Sequence, residues 1–269
     1  MRIFTPAEPE LSIADIGQKI GVPKTTARRI VITLAQAGLL EKDETTGKYM
    51  IGPMLYSIGN LYLSTKDVVR TAEPVIKALN DLSGEAMNVS IFNNGYITFV
   101  MKEETKHAFR WGIHVGTIMP AYASAMGKAL LSELTDTELD DLYPEEKLRP
   151  LTNKTVATKT ELKRELEQIR KTSVAFNREG GHEGVEGIAA VIRDIGGKAV
   201  AAMSVTVQVF RMNQTYRQRL ATLVRMGSSL ISYRLGYQHT ASPVRDIQEI
   251  RDWWEQKQPD LAFPVKDLT

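Results

Sequence analysis

Cysteine is absent from this 269-residue chain. That excludes disulfides, thiolate nucleophiles and cysteine-ligated zinc, and it suits a cytoplasmic protein. Long apolar runs are missing too. None approaches the roughly 18 residues that cross a bilayer, so no membrane partner is expected. The opening "MRIFTPAEPELS" has no apolar core followed by small residues of the kind that marks a secretory signal. Strong net charge is lacking as well: 34 basic against 32 acidic side chains leave +2. The molecule as a whole is no polybasic coat, and any attraction for phosphate has to be local. Histidine is scarce, and His107, His114, His182 and His239 show no metal-ligand spacing.

Catalytic signatures are equally thin. "GGHEGVE", residues 180–186, opens like a metalloprotease helix, but Glu186 stands where the second histidine belongs and the glycines oppose a helix. Its paired glycines lack the Lys-Ser or Lys-Thr of a phosphate loop. "YASAM" around Ser124 lacks the glycines of a nucleophile elbow. The chain is therefore read as a non-enzyme without cofactor or metal.

What is present is order at the N-terminus. Ser12 precedes "IADIGQKIG" with Asp15 three residues on, an N-cap and first-turn acid, and Gly21 stops that helix. Pro23 opens a second helix, in which Ala27, Ile30, Val31 and Leu34 form the expected buried stripe and Gly38 ends the run. "LLEKDETTGKYMIG" then reads as a hairpin of Leu39–Lys42 and Lys48–Ile51. Helix, turn, helix, hairpin is the order of a winged helix-turn-helix.

With that stripe turned inward, the helical wheel at about 100° per residue points Thr25, Arg29 and Gln36 directly outward. Thr26 and Arg28 flank them, Lys24 sits near the start, and Ile32 also faces out. No acid occurs between Val22 and Leu40. Arginine can bond guanine in bidentate fashion, threonine can reach bases or phosphates, and isoleucine can lie on thymine methyls. Lys24 and the wing residues Lys42 and Lys48 would hold backbone phosphates. The plainer reading is a charged surface on a helical hairpin of some other fold.

From Pro53 the pattern is helical, a linker helix to near Lys66 and another helix from Asp67. The rest reads as α+β. "MNVSIF", "YITFVMK" and "AFRWGIHV" look like strands, with a hairpin at Asn93-Asn94-Gly95. Helices fit "SAMGKALLSEL" and "ELKRELEQIRKTS", strands "GIAAVIRD" and "KAVAAMSVTV", and a long helix about 213–234. Antiparallel strands with packed helices describe a small-molecule sensor domain. Unpaired amides near Ser124, Ala125, Met126 and Gly127 would suit a carboxylate. Strand alternation puts Val200, Ala202, Ser204 and Thr206 on one face, where the two hydroxyls could donate to the same ligand. Close helix–sheet packing is the alternative reason for so many small residues.

The segment "LSIADIGQKIGVPKTTARRIVITLAQAGLLEKDETTGKYMIGPMLYSIG" resembles the DNA-binding half of the IclR family of bacterial transcription regulators. "GTIMPAYASAMGKALLSEL" and "VAFNREGGHEGVEGIAAVIRDIGGKAVAAMSVTV" resemble the family's effector domain. The resemblance implies a winged helix-turn-helix domain over 1–52, a linker helix over 53–69, a GAF-like effector domain over 70–237 and a tail over 238–269. It also implies a homodimer or tetramer on double-stranded, pseudo-palindromic operator DNA, and a small organic-acid effector. Leu55, Ile58, Leu61 and Tyr62 of the linker would form a dimer seam.

Position-matching to the family adds Asn177 and Gly187 to the effector wall. There the family often has an acid and a cysteine, so an altered pocket is expected. Members usually begin with a long amphipathic helix, whereas Pro6 and Pro9 oppose one here. A first helix truncated in this way would expose Ile16, Ile20 or Ile30. It also keeps open a metabolite-binding interaction module that has lost DNA binding.

Overall fold

The computed structural model describes residues 3–5, 7–64, 67–107, 112–238 and 244–256, with side chains throughout except at 60–64. The chain divides into two compact units, Met1–Lys66 and Asp67–Thr269.

In the first unit, α1 (Ile13–Ile20) begins at a reciprocal cap. Ser12 Oγ accepts from the Asp15 N–H at 3.2 Å, while the Asp15 carboxylate accepts from the Ser12 N–H at 3.0 Å. Gly21, at φ 69°, ends the helix in a left-handed conformation that costs glycine nothing. The helix α2 (Lys24–Gln36) follows, then β1 (Leu40–Lys42) and β2 (Tyr49–Ile51), paired antiparallel with Leu40 opposite Ile51. The Asp43 carboxylate accepts from the Thr45 and Thr46 amides and shapes the turn between them. Leu11 bridges Tyr49, adding a third short segment to the wing. The core is small: Leu11, Ile16, Val31, Leu40 and Tyr49, with Leu34 half-buried against it. The helix α3 (Pro53–Ser64) closes the unit. Of the expected seam, Leu55 is half-buried and Ile58 exposed, while Leu61 and Tyr62 lie outside the described side chains.

One placement differs from the wheel. Ala27 and Val31 are fully buried, but Ile30 is 39% exposed, like Ile20 and Ile32. Ile20 and Ile30 are two of the three residues that a short first helix is expected to leave exposed. Ile16, by contrast, is buried.

Because the first unit has so small a core, its caps matter. Ser12→Ala is expected to cost about 1 kcal/mol, read as a lower melting midpoint for this unit. Hydrogen bonds from Ser12 hold the Asp15 carboxyl below its ordinary value. The contribution is therefore fully present above the usual carboxylate range and is lost as pH falls through the depressed value. The Ser12→Ala variant should show a weaker acid dependence.

The second unit opens with α4 (Asp67–Ser83), then β3 (Ala86–Asn93) and β4 (Tyr96–Glu103) joined at Asn94 and Gly95, both at positive φ. That pair of conformations is what a tight two-residue hairpin needs. The third strand is β5 (Ile118–Pro120). The expected strand at 108–115 is corrected: residues 112–115 are irregular, and 108–111 lie outside the described residues. Backbone bonds to Phe99 of β4 begin at Gly116 and Thr117, and the regular strand starts at Ile118.

A 3-10 turn at Ala121–Ala123 leads into α5 (Ala125–Leu131), α6 (Asp136–Leu142) and α7 (Lys159–Thr172). Then come β6 (Ala175–Arg178), β7 (Val185–Arg193), β8 (Ala199–Gln208), α8 (Gln214–Arg234) and α9 (Ile247–Gln256). The six strands form one antiparallel sheet in the order β5-β4-β3-β8-β7-β6.

Helices cover both faces of the sheet. On one, Met203 of β8 meets α4 and α8, and Gly227 lets α8 come close: a Cβ there would stand 2.4 Å from Leu79 Cδ1. On the other, α5 lies across β7 and β8 and is backed by α7, whose Leu162, Leu166 and Ile169 recur at helical spacing. Beyond these, α9 buries Ile250 and Trp254, with the Arg219 guanidinium 3.8 Å over the Trp254 ring.

Candidate functional site

On α2, Lys24, Thr25, Thr26, Arg28, Arg29 and Gln36 are all exposed, together with Ile32. Neither Arg28 nor Arg29 has an ion-pair partner among the described residues. The helix therefore presents two free guanidiniums, threonine hydroxyls and an apolar side chain on an acid-free surface. The wing lysines are less free. Lys42 pairs with Glu44 at 2.9 Å. Lys48 shares a surface depression with Glu8, Glu10 and Asp15, and its charge helps to hold the Asp15 carboxyl down.

The second constellation lies beneath α5. Ser124, in an extended conformation, caps the helix: its Oγ accepts from the Gly127 N–H at 2.9 Å and its carbonyl from the Lys128 N–H. Among the described residues only the Ala125 and Met126 amides at this end have no acceptor. These two residues and Ser124 line a cavity of about 40 Å³ with Asn177, Gly187, Ser204 and Thr206. Thus β6, β7 and β8 each contribute, and the register explains why: Asn177 is opposite Gly187, Gly187 opposite Thr206.

Gly127 is corrected. It does not line the cavity, and its amide is already bonded to Ser124. A Cβ at this position would stand 2.1 Å from the Ala121 carbonyl oxygen. The glycine is there for close packing. Gly187 differs, since a Cβ there would make only an ordinary 3.4 Å contact with Ala125 Cβ.

Phe99, Met119, Ala123, Gly181, His182 and Val185 complete the wall, and none of these is marked as a site residue by the sequence. The loop from β6 to β7 lies over the cavity. Thr155 Oγ1 donates to the Gly180 carbonyl at 2.6 Å and Thr152 Oγ1 to the Glu179 carbonyl at 2.7 Å. A side chain at Gly181 would meet the Ala123 carbonyl oxygen at 2.7 Å and Met119 Cε at 2.8 Å. The paired glycines are visible in the sequence, but only the folded loop shows that they permit this approach. Room of 40 Å³ takes roughly three waters, so a metabolite enters only if the walls shift outward.

Polar groups around the cavity include both donors and acceptors. Asn177 Nδ2 donates to the Ala123 carbonyl at 3.0 Å, which orients that side chain. The Ser204 hydroxyl has no partner among the described residues. Behind α5, burial pushes the Tyr122 hydroxyl up from its ordinary pKa, so it stays neutral while donating to the Arg149 carbonyl. Beside Gly187, the Glu186 carboxylate is buried and paired with Arg217 at 2.6 Å, outside the cavity wall. No group of three or more His, Cys, Asp or Glu capable of holding a metal occurs among the described residues. No helix there is long and apolar enough to cross a membrane.

Comparison with known proteins decides what these two constellations belong to. Residues 60–233 match the family described as "Bacterial transcriptional regulator IclR C-terminal", and residues 1–44 match "IclR helix-turn-helix domain". The chain belongs to the IclR family. It is 32% identical to the HTH-type transcriptional repressor AllR of Salmonella typhimurium over 225 residues, 84% of this chain and 83% of that protein. It is 29% identical to the HTH-type transcriptional regulator BhcR of Paracoccus denitrificans over 223 residues, 83% and 80% of the two chains. An IclR homologue from Microbacterium hydrocarbonoxydans, solved with 4-hydroxybenzoate, shares the fold at TM-score 0.72 and 21% identity, covering 87% of this chain and 95% of that one. This member of the IclR family is a DNA-binding transcription regulator with an effector-binding C-terminal domain, and its relatives are regulators rather than enzymes.

Proposed function

We propose that α2 reads the major groove of an operator, with Arg28, Arg29, Thr25, Thr26 and Gln36 at base edges and Lys24, Lys42 and Lys48 at phosphates. The observation that carries this is the exposed, acid-free face of α2, on which both arginines are unpaired. Lys42 must exchange Glu44 for a phosphate, and Lys48 must compete with neighbouring acids, so these two contribute less than Lys24. Such a regulator works as a homodimer or tetramer on a pseudo-palindromic site, in the compartment that holds the chromosome, and catalyses no reaction.

The effector in this reading is a small carboxylate held under α5. The Ala125 and Met126 amides and the Ser204 and Thr206 hydroxyls supply convergent donors, which is the chemistry a carboxylate needs. Asn177 and Gly187 complete the wall as a neutral amide and an open space. The 4-hydroxybenzoate-bound relative also accommodates a carboxylate, but at its level of identity it gives the fold alone. The donors of this chain carry the argument.

The test is a gel shift of the full chain on DNA upstream of its own gene, with and without a panel of small acids, paired with titration calorimetry. A salt-sensitive, sequence-preferring shift altered by one acid is the expected result. Effector heat with no DNA shift would instead mark a metabolite-binding module that has lost DNA binding. Ser204→Ala is expected to weaken the effector by about tenfold, on the order of 1–1.5 kcal/mol for the removal of one hydrogen bond, with operator affinity in the absence of acid unchanged.

A further inference from the structure

Two polar side chains on β3 stand out because nothing in the fold explains them. Asn88 and Ser90 are both fully buried. Asn88 Nδ2 donates to Thr206 Oγ1 at 3.2 Å, but Asn88 Oδ1 and Ser90 Oγ have no hydrogen-bond partner among the described residues. Buried polar groups are nearly always paired, so an orphaned one calls for a functional account. Register says where they point. Asn88 lies opposite Ser204 and Ser90 opposite Ala202, on the sheet face that carries the cavity wall. Directly opposed side chains have Cβ atoms about 5 Å apart, which puts the Asn88 carboxamide within a few bonds' reach of any group bound at Ser204.

The bond to Thr206 has a second effect. Because Thr206 Oγ1 accepts from Asn88, its own hydrogen is left to donate elsewhere. Asn88 thus leaves the Thr206 hydroxyl free to donate into the cavity, while its own unpaired Oδ1 lies behind the present wall, within reach of a ligand once the walls move apart to admit one. A bare carboxylate offers no hydrogen to that acceptor. A carboxylate carrying a hydroxyl does.

We propose that Asn88 is a specificity-determining residue of the effector cavity, whose unpaired Oδ1 accepts a hydrogen bond from a hydroxyl on the effector, so that small hydroxy acids are selected over their deoxy counterparts. This rests on the carboxylate reading of the same cavity. Asn88 supplies an acceptor on the Ser204 side of the cavity, away from Asn177, and Ser90, opposite Phe99 across the β3–β4 ladder, is the next polar side chain on the same face.

The experiment is titration calorimetry on the full chain with matched acids: propionate against each enantiomer of lactate and 3-hydroxypropionate, and butyrate against 3-hydroxybutyrate. Wild-type protein is expected to bind at least one hydroxy acid tenfold or more tightly than its deoxy partner. Asn88→Leu should abolish that ratio, with any loss for the deoxy acid through the released Thr206 hydroxyl smaller than the loss for the hydroxy acid, and Asn88→Gln should restore part of it. Melting curves show whether each variant is folded. If Asn88→Leu does not fold, Asn88→Ala and Asn88→Thr take its place in the ratio measurement. Equal binding of both partners by wild type, or a ratio that survives in the folded variants, overturns the role of Asn88 and leaves the carboxylate reading standing. If none of the acids binds wild-type protein, both fall together.

Discussion

Arg29→Ala is expected to reduce specific operator affinity by roughly 1–3 kcal/mol, a loss of about five- to 150-fold, while leaving non-specific DNA binding nearly intact. Arg29 lies on the exposed face of α2, and no carboxylate among the described residues claims its guanidinium. Its full bidentate capacity is therefore available to a base edge, and nothing inside the protein loses a partner when it is removed. Stability should stay within a few tenths of a kcal/mol, as for a surface substitution away from structural features.

Lys24→Ala provides the contrast. Removing a phosphate-binding ammonium from the same helix should weaken all sequences alike and lower the slope of log affinity against log salt by about one. Fluorescence anisotropy with operator and scrambled duplexes across a salt series separates the two. Unchanged operator affinity in Arg29→Ala, with a normal melting curve, would remove α2 from the role of groove reader.

Gly127→Ala should be the most disruptive single methyl in the second unit. Its Cβ would be placed 2.1 Å from Ala121 O and 2.4 Å from Ala121 Cα. Those are backbone atoms, so no rotamer change relieves the clash, and α5 has to lift from the turn before it. A cost of about 3 kcal/mol follows from overpacking of this kind, or a melting point lower by about 6–12 °C for a unit of this size. Because α5 forms one wall of the cavity, effector binding should go with it.

Gly187→Ala tests the opposite case. The added methyl makes an ordinary contact with Ala125 at 3.4 Å, so the fold should hold while the cavity narrows. Effector affinity is then expected to fall with no loss of melting temperature. Thermal unfolding and calorimetry on the two variants side by side distinguish a glycine needed for packing from one that leaves space for a ligand. A Gly127→Ala protein that melts like wild type would contradict the close approach of α5 to Ala121.

Much of this molecule could be read without coordinates. The caps at Ser12 and Gly21, the Asn94–Gly95 hairpin and the stripe of α7 are local. Each is specified by residues within a turn or two of one another, and short-range hydrogen bonding and φ preferences decide them. The outward set on α2 follows from helical geometry once Ala27 and Val31 are inside. Strand alternation placed Ser204 and Thr206 on one face for the same reason.

Where sequence reasoning slipped, the deciding partner was distant. Ile30 fits the apolar period assigned to the buried stripe, but it is 39% exposed, the outcome expected of a short first helix. The strand expected at 108–115 had suitable residues, yet β4 takes Ile118–Pro120 as its neighbour. Gly127 looked like part of an anion cradle until Ala121, six residues away and folded back in a 3-10 turn, proved to be what it touches.

What the sequence by itself determined was the kind of protein: two units, a helix-turn-helix with one acid-free face, and a sheet whose hydroxyls gather on one side. Tertiary structure alone decided which of those groups are left over. The spare acceptor of Asn88 and the loop held over the cavity by Thr152 and Thr155 arise from pairings between residues far apart in the chain. A periodicity can show which way a side chain faces, but whether its hydrogen bonds are already satisfied depends on what the rest of the fold brings to meet it.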